Sequence, residues 1–198
     1  MSSSGSVRFH DATALASGLK RILRELEERI ELDRPLVLFL AGGMAVHLYT
    51  GRRVTTDIDA EFGARIAVPG DLVLELVLED GSEQVLYFDT NYNPMFGLMH
   101  EDYQQDAIEL RVKLKHIRVF VLSPLDLAVS KLARFADNDR EDIESLVRSG
   151  LVGADRLEAR ATEASKGFVG GLSMIRHNIR EAVASARRIE ASGADDPS

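Results

Sequence analysis

Asp57 and Asp59 stand two residues apart in the β-branched run VTTDIDAEF, residues 54–62. In a strand, side chains at i and i+2 share a face, so the two carboxylates would lie side by side. Such a pair suits one or two Mg²⁺ ions, which take oxygen ligands and usually share them with substrate phosphates. The spacing alone carries little information, because 16 aspartates in the chain make one such pair a chance event. Asp137 and Asp139 form a second pair, but in a helical stretch, where the two side chains diverge. The neighbourhood of the first pair says more. The apolar run LVLFL, residues 36–40, leads into Gly42 and Gly43 and then MAVHLYT. Glycines at a strand end that opens a helix let backbone N–H groups approach a phosphate, and the helix N-terminus favours negative charge. The same glycines also suit a tight, closely packed strand-to-helix turn with no ligand.

The elements that must position these groups follow from periodicity. Leu15, Leu19, Ile22, Leu23, Leu26 and Ile30 form one apolar stripe on a helix within residues 11–32. The run at 36–40 is apolar at every position, which predicts a strand covered on both faces. A short helix after Gly43 stops at Gly51, and residues 54–62 form a second strand. Asp71 caps a predicted short helix through Leu78, EDGS makes a turn, and QVLYFD, residues 84–89, is a third strand. Residues 100–115 fit helix or strand, whereas IRVFVL, residues 117–122, is a strand. Ser123 and Pro124 then suit the N-cap and first turn of a helix through SPLDLAVSKLARFA. A further helix ends at Gly150, and residues 155–191 supply one or two more.

At 198 residues, with 45% hydrophobic and 28% charged side chains, the chain has the composition of one globular domain, with or without a helical appendage. The absence of cysteine excludes disulfides, thiolate zinc sites and cysteine nucleophiles. MSSSGSVRFH has no leader pattern and no apolar run reaches the roughly 20 residues of a membrane span, so a cytoplasmic protein with no membrane association is expected. The formal charge of -8 disfavours broad nucleic-acid binding but is compatible with a local basic face. No GxSxG or Walker A pattern is present, and the five histidines show no metal-ligand spacing. His47, in the short helix, reads as structural.

AGG, thirteen residues, then DID resembles the signature of the nucleotidyltransferase fold that includes DNA polymerase β. With LSPLDLAVSKLARFADNDREDI downstream of GRRVTTDID, residues 36–146 look like the nucleotidyltransferase-like toxins of bacterial toxin–antitoxin and abortive-infection systems, the AbiEii and MenT type. The resemblance implies that Gly42 and Gly43 contact a triphosphate, with Arg53 and Thr55 nearby, and that Asp57 and Asp59 hold metal. It implies further that Lys131 meets the nucleotide phosphates and that Asp139, or else Asp142, orients it. A lysine there offsets charge during phosphoryl transfer; the plainer reading is a snorkelling cation on an amphipathic helix, with the two acids solvated near a helix start. Many members of the wider fold place a third carboxylate on the next strand as base, and Asp89 and Glu109 are the candidates here.

Arg111, Lys113, Lys115, His116 and Arg118 fall within eight residues free of acids. They could track a phosphate backbone, extended by Arg52 and Arg53, or simply guard an exposed edge strand.

Together these readings predict an α/β (α+β) protein with the polymerase-β-like nucleotidyltransferase fold, a short mixed sheet with flanking helices. Residues 1–123 form the core with its N-terminal helix, 124–192 a helical region completing the site, and 193–198 a disordered tail. The expected activity is transfer of a nucleoside monophosphate from an NTP, dependent on Mg²⁺ or Mn²⁺. By resemblance the acceptor is the tRNA 3′ end and the role that of a toxin with a cognate antitoxin. A protein hydroxyl or an antibiotic as acceptor, or a non-catalytic interaction module, are the alternatives.

Overall fold

The predicted apolar stripe is the buried face of α1 (Ala14–Arg29), whose N-cap Thr13 accepts the Ala16 N–H through its hydroxyl. The computed structural model describes residues 8–32 and 34–194. After α1 come β1 (Leu36–Leu40), α2 (Gly42–Thr50), β2 (Asp57–Ile58), β3 (Ala60–Phe62), β4 (Val73–Val77), β5 (Glu83–Phe88), β6 (Ile108–Leu110) and β7 (Ile117–Val121). Four helices follow: α3 (Pro124–Ser130), α4 (Asp137–Arg148), α5 (Ala154–Ser165) and α6 (Leu172–Ala194). The fold is therefore mixed α+β, with strands in two small mixed sheets, β3-β1-β7-β6 and β2-β5-β4. One buried apolar cluster runs from Leu15 to Ala186 and joins both sheets to the C-terminal helices.

Several local expectations are corrected. The strand expected over 54–62 is two short strands, broken at Asp59, where the chain leaves one sheet and enters the other. The helix expected over 71–78 is strand β4, paired antiparallel to β5. Its Val-Leu-Glu-Leu-Val alternation puts Leu74 and Leu76 inward, against α1 at Gly18. In β1, burial alternates instead of being complete: Leu36, Leu38 and Leu40 are buried, while Val37 and Phe39 lie on a half-covered face where Phe39 stacks on Phe120. An unbroken apolar run does not by itself distinguish these cases. Residues 100–115 are turns over 101–106, then the three-residue β6 and irregular chain after it. At the C-terminus α6 continues through Gly193 and Ala194, where a tail was expected; residues 1–7 and 195–198 lie outside the described residues.

The basic stretch before β7 is tied to α1. The carboxylate of Glu27 accepts backbone N–H groups of Lys115 at 3.0 Å, His116 at 2.7 Å and Ile117 at 3.0 Å. Burial pushes the Glu27 carboxyl upward, but these amides outweigh it and hold it below the usual range. A lowered folded-state pKa contributes stability above the unfolded value that is lost as pH falls through the folded one. Glu27→Gln is thus expected to lower the melting temperature at pH 7 by an amount equivalent to about 1 kcal/mol. That gap should close toward pH 3 in thermal denaturation.

Candidate active site

β1 delivers the chain to Ala41, whose extended backbone precedes Gly42 at φ +58° and the start of α2. The Ala41 N–H donates to the Asp59 carbonyl at 2.9 Å, which fastens this turn to the break between β2 and β3. A Cβ on Gly42 would lie 1.6 Å from Asp59 Oδ2, and one on Gly43 would lie 2.8 Å from Thr55 Oγ1. The glycine pair is therefore demanded by the side chains against it, and at Gly42 also by its left-handed backbone. Gly42→Ala is expected to unfold or displace the turn, at a loss of about 3 kcal/mol or more in chemical denaturation. Gly43→Ala should be milder, because its backbone is not left-handed and the contacts to relieve are with Thr55 alone.

Thr55 Oγ1 donates to Asp57 Oδ1 at 2.5 Å, so the threonine orients the first carboxylate. Asp59 is pushed up to about 6 by burial first, then by the charges of Asp57 and Asp89, with Lys131 and Arg134 pulling in the opposite direction. Asp89 follows β5 directly, and its N–H donates to the Ile58 carbonyl at 3.1 Å, which brings it alongside Asp59 on the adjacent strand. Glu109 is elsewhere, on β6 in the other sheet and paired with Arg118 at 3.1 Å. Of the two candidates for a third carboxylate, only Asp89 lies near enough for its charge to act on Asp59.

The cationic side of the site comes from the segment between α3 and α4. Ser123 caps α3, its hydroxyl accepting the Asp126 N–H, and Pro124 opens the first turn as expected. The helix ends sooner than its pattern suggested. Lys131 is its C-cap, a turn follows, and Phe135 takes a left-handed φ of 51° before α4 begins. Asn178 of α6 donates to the Leu132 carbonyl at 2.8 Å and pins the turn. This reversal folds Lys131 and Arg134 back onto the first turns of α4. Lys131, 8% exposed, lies 2.7 Å from Asp142 Oδ2 and 3.8 Å from Asp139 Oδ1. Of the two acids that the resemblance offered for Lys131, the close partner is Asp142, the second, and not Asp139, the first.

Asp139 is held instead by Arg134, which donates two parallel hydrogen bonds of 2.7 and 2.8 Å. Burial would raise the Asp139 carboxyl, but Arg134 and Lys131 together hold it below its usual range. Arg53 Nε lies 3.1 Å from Asp142 Oδ1 with its N–H not aimed at the oxygen, so this buried nitrogen makes no hydrogen bond. Three cations thus face two carboxylates beside the Asp57–Asp59 pair. Arg134 was not singled out by the sequence. Its only signal was its place between Lys131 and Asp139, legible once the helix is known to break at Phe135.

His47 is structural: its Nδ1 lies 2.6 Å from the Arg53 carbonyl and its Nε2 2.7 Å from Thr13 Oγ1. The basic cluster does not join the site. β1 and β7 run parallel, with Leu36 beside Ile117 and Leu40 beside Val121, so residues 111–116 precede the end of the sheet opposite the Gly42 turn. Four residues of strand, roughly 13 Å, separate the two ends.

The sequence model of a family described as "Nucleotidyltransferase of unknown function (DUF6036)" matches residues 17–185. The chain belongs to this family. The DUF6036 match takes in the glycine turn, the Asp57–Asp59 pair, the Lys131 cluster and most of α6. No curated protein and no solved structure matches the chain. Among the described residues, no group of three or more His, Asp or Glu side chains is arranged to hold a metal ion by itself, and no helix is long and apolar enough to cross a membrane. The donor set of the pair nevertheless fits a hard divalent cation. It is all oxygen, its two carboxylates repel one another, and Mg²⁺ commonly takes one or two carboxylates and completes its shell with water and phosphate.

Proposed function

We propose that this DUF6036 nucleotidyltransferase transfers a nucleoside monophosphate from an NTP to a hydroxyl and releases pyrophosphate. The observation that carries the reading is the opposition of charges across one site. Asp59 is crowded by Asp57 and Asp89, while Lys131 and Arg134 lie close enough to act on it. Asp57 and Asp59 would hold Mg²⁺ or Mn²⁺, which when bound supplies positive charge at the α-phosphate and at the entering oxygen. Lys131, braced by Asp142, and Arg134, braced by Asp139, are assigned to the β- and γ-phosphates. Gly42 and Gly43 are assigned to the triphosphate through their backbone N–H groups, beside Arg53 and Thr55. Asp89, next to Asp59, is assigned the hydroxyl proton.

The resemblance to AbiEii and MenT-type toxins implies the tRNA 3′ end as one acceptor class, with an antitoxin as partner; a protein hydroxyl is the other, and the test compares them. Each NTP, labelled at the α-phosphate, is incubated with Mg²⁺ and bulk tRNA, protein extract, or no acceptor. The proposed function predicts label in one acceptor fraction, abolished in the Asp57→Ala, Asp59→Ala double variant. Label that persists in that variant would refute the metal assignment.

A further inference from the structure

The outer face of the β2-β5-β4 sheet continues directly from the carboxylates. Register places Asp57 beside Tyr87 and Tyr87 beside Val73, so these three side chains form one row across the sheet. Leu74, Leu76 and Leu86 point the other way, toward α1. The outer face therefore presents Val73, Val77, Val85 and Tyr87, exposed at 50%, 60%, 39% and 41%, with Glu75 and Glu83 among them. Apolar side chains gathered on one open sheet face, in line with a reactive centre, mark a surface that something covers.

Charge narrows what covers it. From Ile66 to Met99 the chain has six acids and no lysine, arginine or histidine. Arg29 of α1 meets Asp71 just before β4, but the outer face itself carries no cation. Beyond Asp89 the same chemistry recurs. The segment leaving it forms one wall of a cleft of about 810 Å³ against the end of α5, with Met95 and Phe96 exposed and a lining in which Glu101, Asp102 and Glu163 outnumber Lys166 and His100. The site thus has a cationic flank, suited to a triphosphate, and an apolar, anionic flank that repels a phosphate backbone.

We infer that the acceptor is a polypeptide, with a Ser, Thr or Tyr hydroxyl flanked by basic and apolar residues, docking on the outer face of β4 and β5. The inference rests on the nucleotidyl transfer proposed above. The side-chain oxygen forms a bond to the α-phosphorus, the α–β anhydride bond breaks, pyrophosphate leaves, and the hydroxyl proton passes to a carboxylate or to water.

The test uses synthetic peptides bearing Ser, Thr or Tyr among Lys, Arg and Leu, matched peptides with Glu for the basic residues, and bulk tRNA. All are incubated with the full chain, Mg²⁺ and α-labelled NTPs. The Val77→Lys, Glu83→Lys variant alters the far end of this face, two same-face register pairs beyond the row of Asp57, Tyr87 and Val73, and its Mg²⁺-dependent NTP binding is measured in parallel. Expected is labelling of the basic peptides at least tenfold above the acidic peptides and tRNA, and at least a tenfold loss in the variant with NTP binding unchanged. Labelling of tRNA at an equal or higher rate, no loss in the variant, or no labelled peptide despite Mg²⁺-dependent NTP binding would overturn the docking inference alone. Failure of the unaltered protein to bind NTP with Mg²⁺ would overturn the nucleotide site, and this inference with it.

Discussion

Asp59→Asn is expected to abolish nucleotidyl transfer while raising the melting temperature of the metal-free protein at pH 8. The Asp59 carboxyl is pushed up to about 6 from an ordinary value near 3.8. A raised folded-state pKa on an acid means that the charged form is worse tolerated in the folded protein than in the unfolded chain. That penalty is absent below about pH 3.8, grows between there and about pH 6, and is constant above. Each pKa unit corresponds to about 1.4 kcal/mol, and Asp59 is partly open to solvent, so a net relief of about 1–2 kcal/mol is reasonable. For a chain of this size that is a gain of about 3–6 °C at pH 8, vanishing near pH 4. Activity should fall by at least about 10²–10³-fold, the range for losing one electrostatic element of an active site. Thermal melts at both pH values, run beside transfer assays, check the pair of effects. An equal gain at pH 4 and pH 8, or a lowered melting temperature at pH 8, would remove the electrostatic explanation.

Lys131→Met is expected to damage stability and activity together. Removing one member of a buried ion pair typically costs about 3–5 kcal/mol, because the remaining charge is left without its partner. Here Asp142 keeps Arg53 nearby and Asp139 keeps Arg134, so a loss of about 2–3 kcal/mol in chemical denaturation is expected. Transfer should drop even where the variant is fully folded, since the cation assigned to the phosphates in the proposed function is gone. Double-mutant cycles separate the two acids. Coupling of Lys131 to Asp142, at 2.7 Å, should exceed coupling to Asp139, at 3.8 Å and already bound by a guanidinium. A larger coupling to Asp139 would reverse the assignment of partners.

What could be read from residues alone followed the strength of local signals. The helical stripe from Leu15 to Leu26, the step from β1 through Gly42 into α2, and the Ser123–Pro124 start of α3 each rest on a pattern confined to neighbouring residues. Features that depend on partners distant in the chain were not legible. Residues 73–77 alternate as a strand should, but their leucines also fit a helix, and only pairing with β5 decides between them. The break at Asp59 reflects competition between two sheets for one stretch of chain. At Lys131 the apolar period runs on through Ala133, yet Asn178, 46 residues later, stabilises a turn there. That turn decides which acid meets Lys131 and brings Arg134 to Asp139, so the error in local structure became an error in the site. The basic run at 111–118 was correctly a cluster in sequence, but parallel pairing of β1 with β7 sets it at the end of the sheet away from the carboxylates.

The central claim is that the Asp57–Asp59 pair and the Lys131 cluster together form one metal-dependent triphosphate site. Calorimetric titration with a non-hydrolysable NTP analogue, with and without Mg²⁺, tests it most directly in the unaltered protein, in Asp57→Asn, Asp59→Asn, and in Lys131→Met. The predicted result is binding that needs Mg²⁺, loses that dependence in the double variant, and weakens at least tenfold in Lys131→Met. Mg²⁺-dependent binding of equal affinity in all three proteins would contradict it.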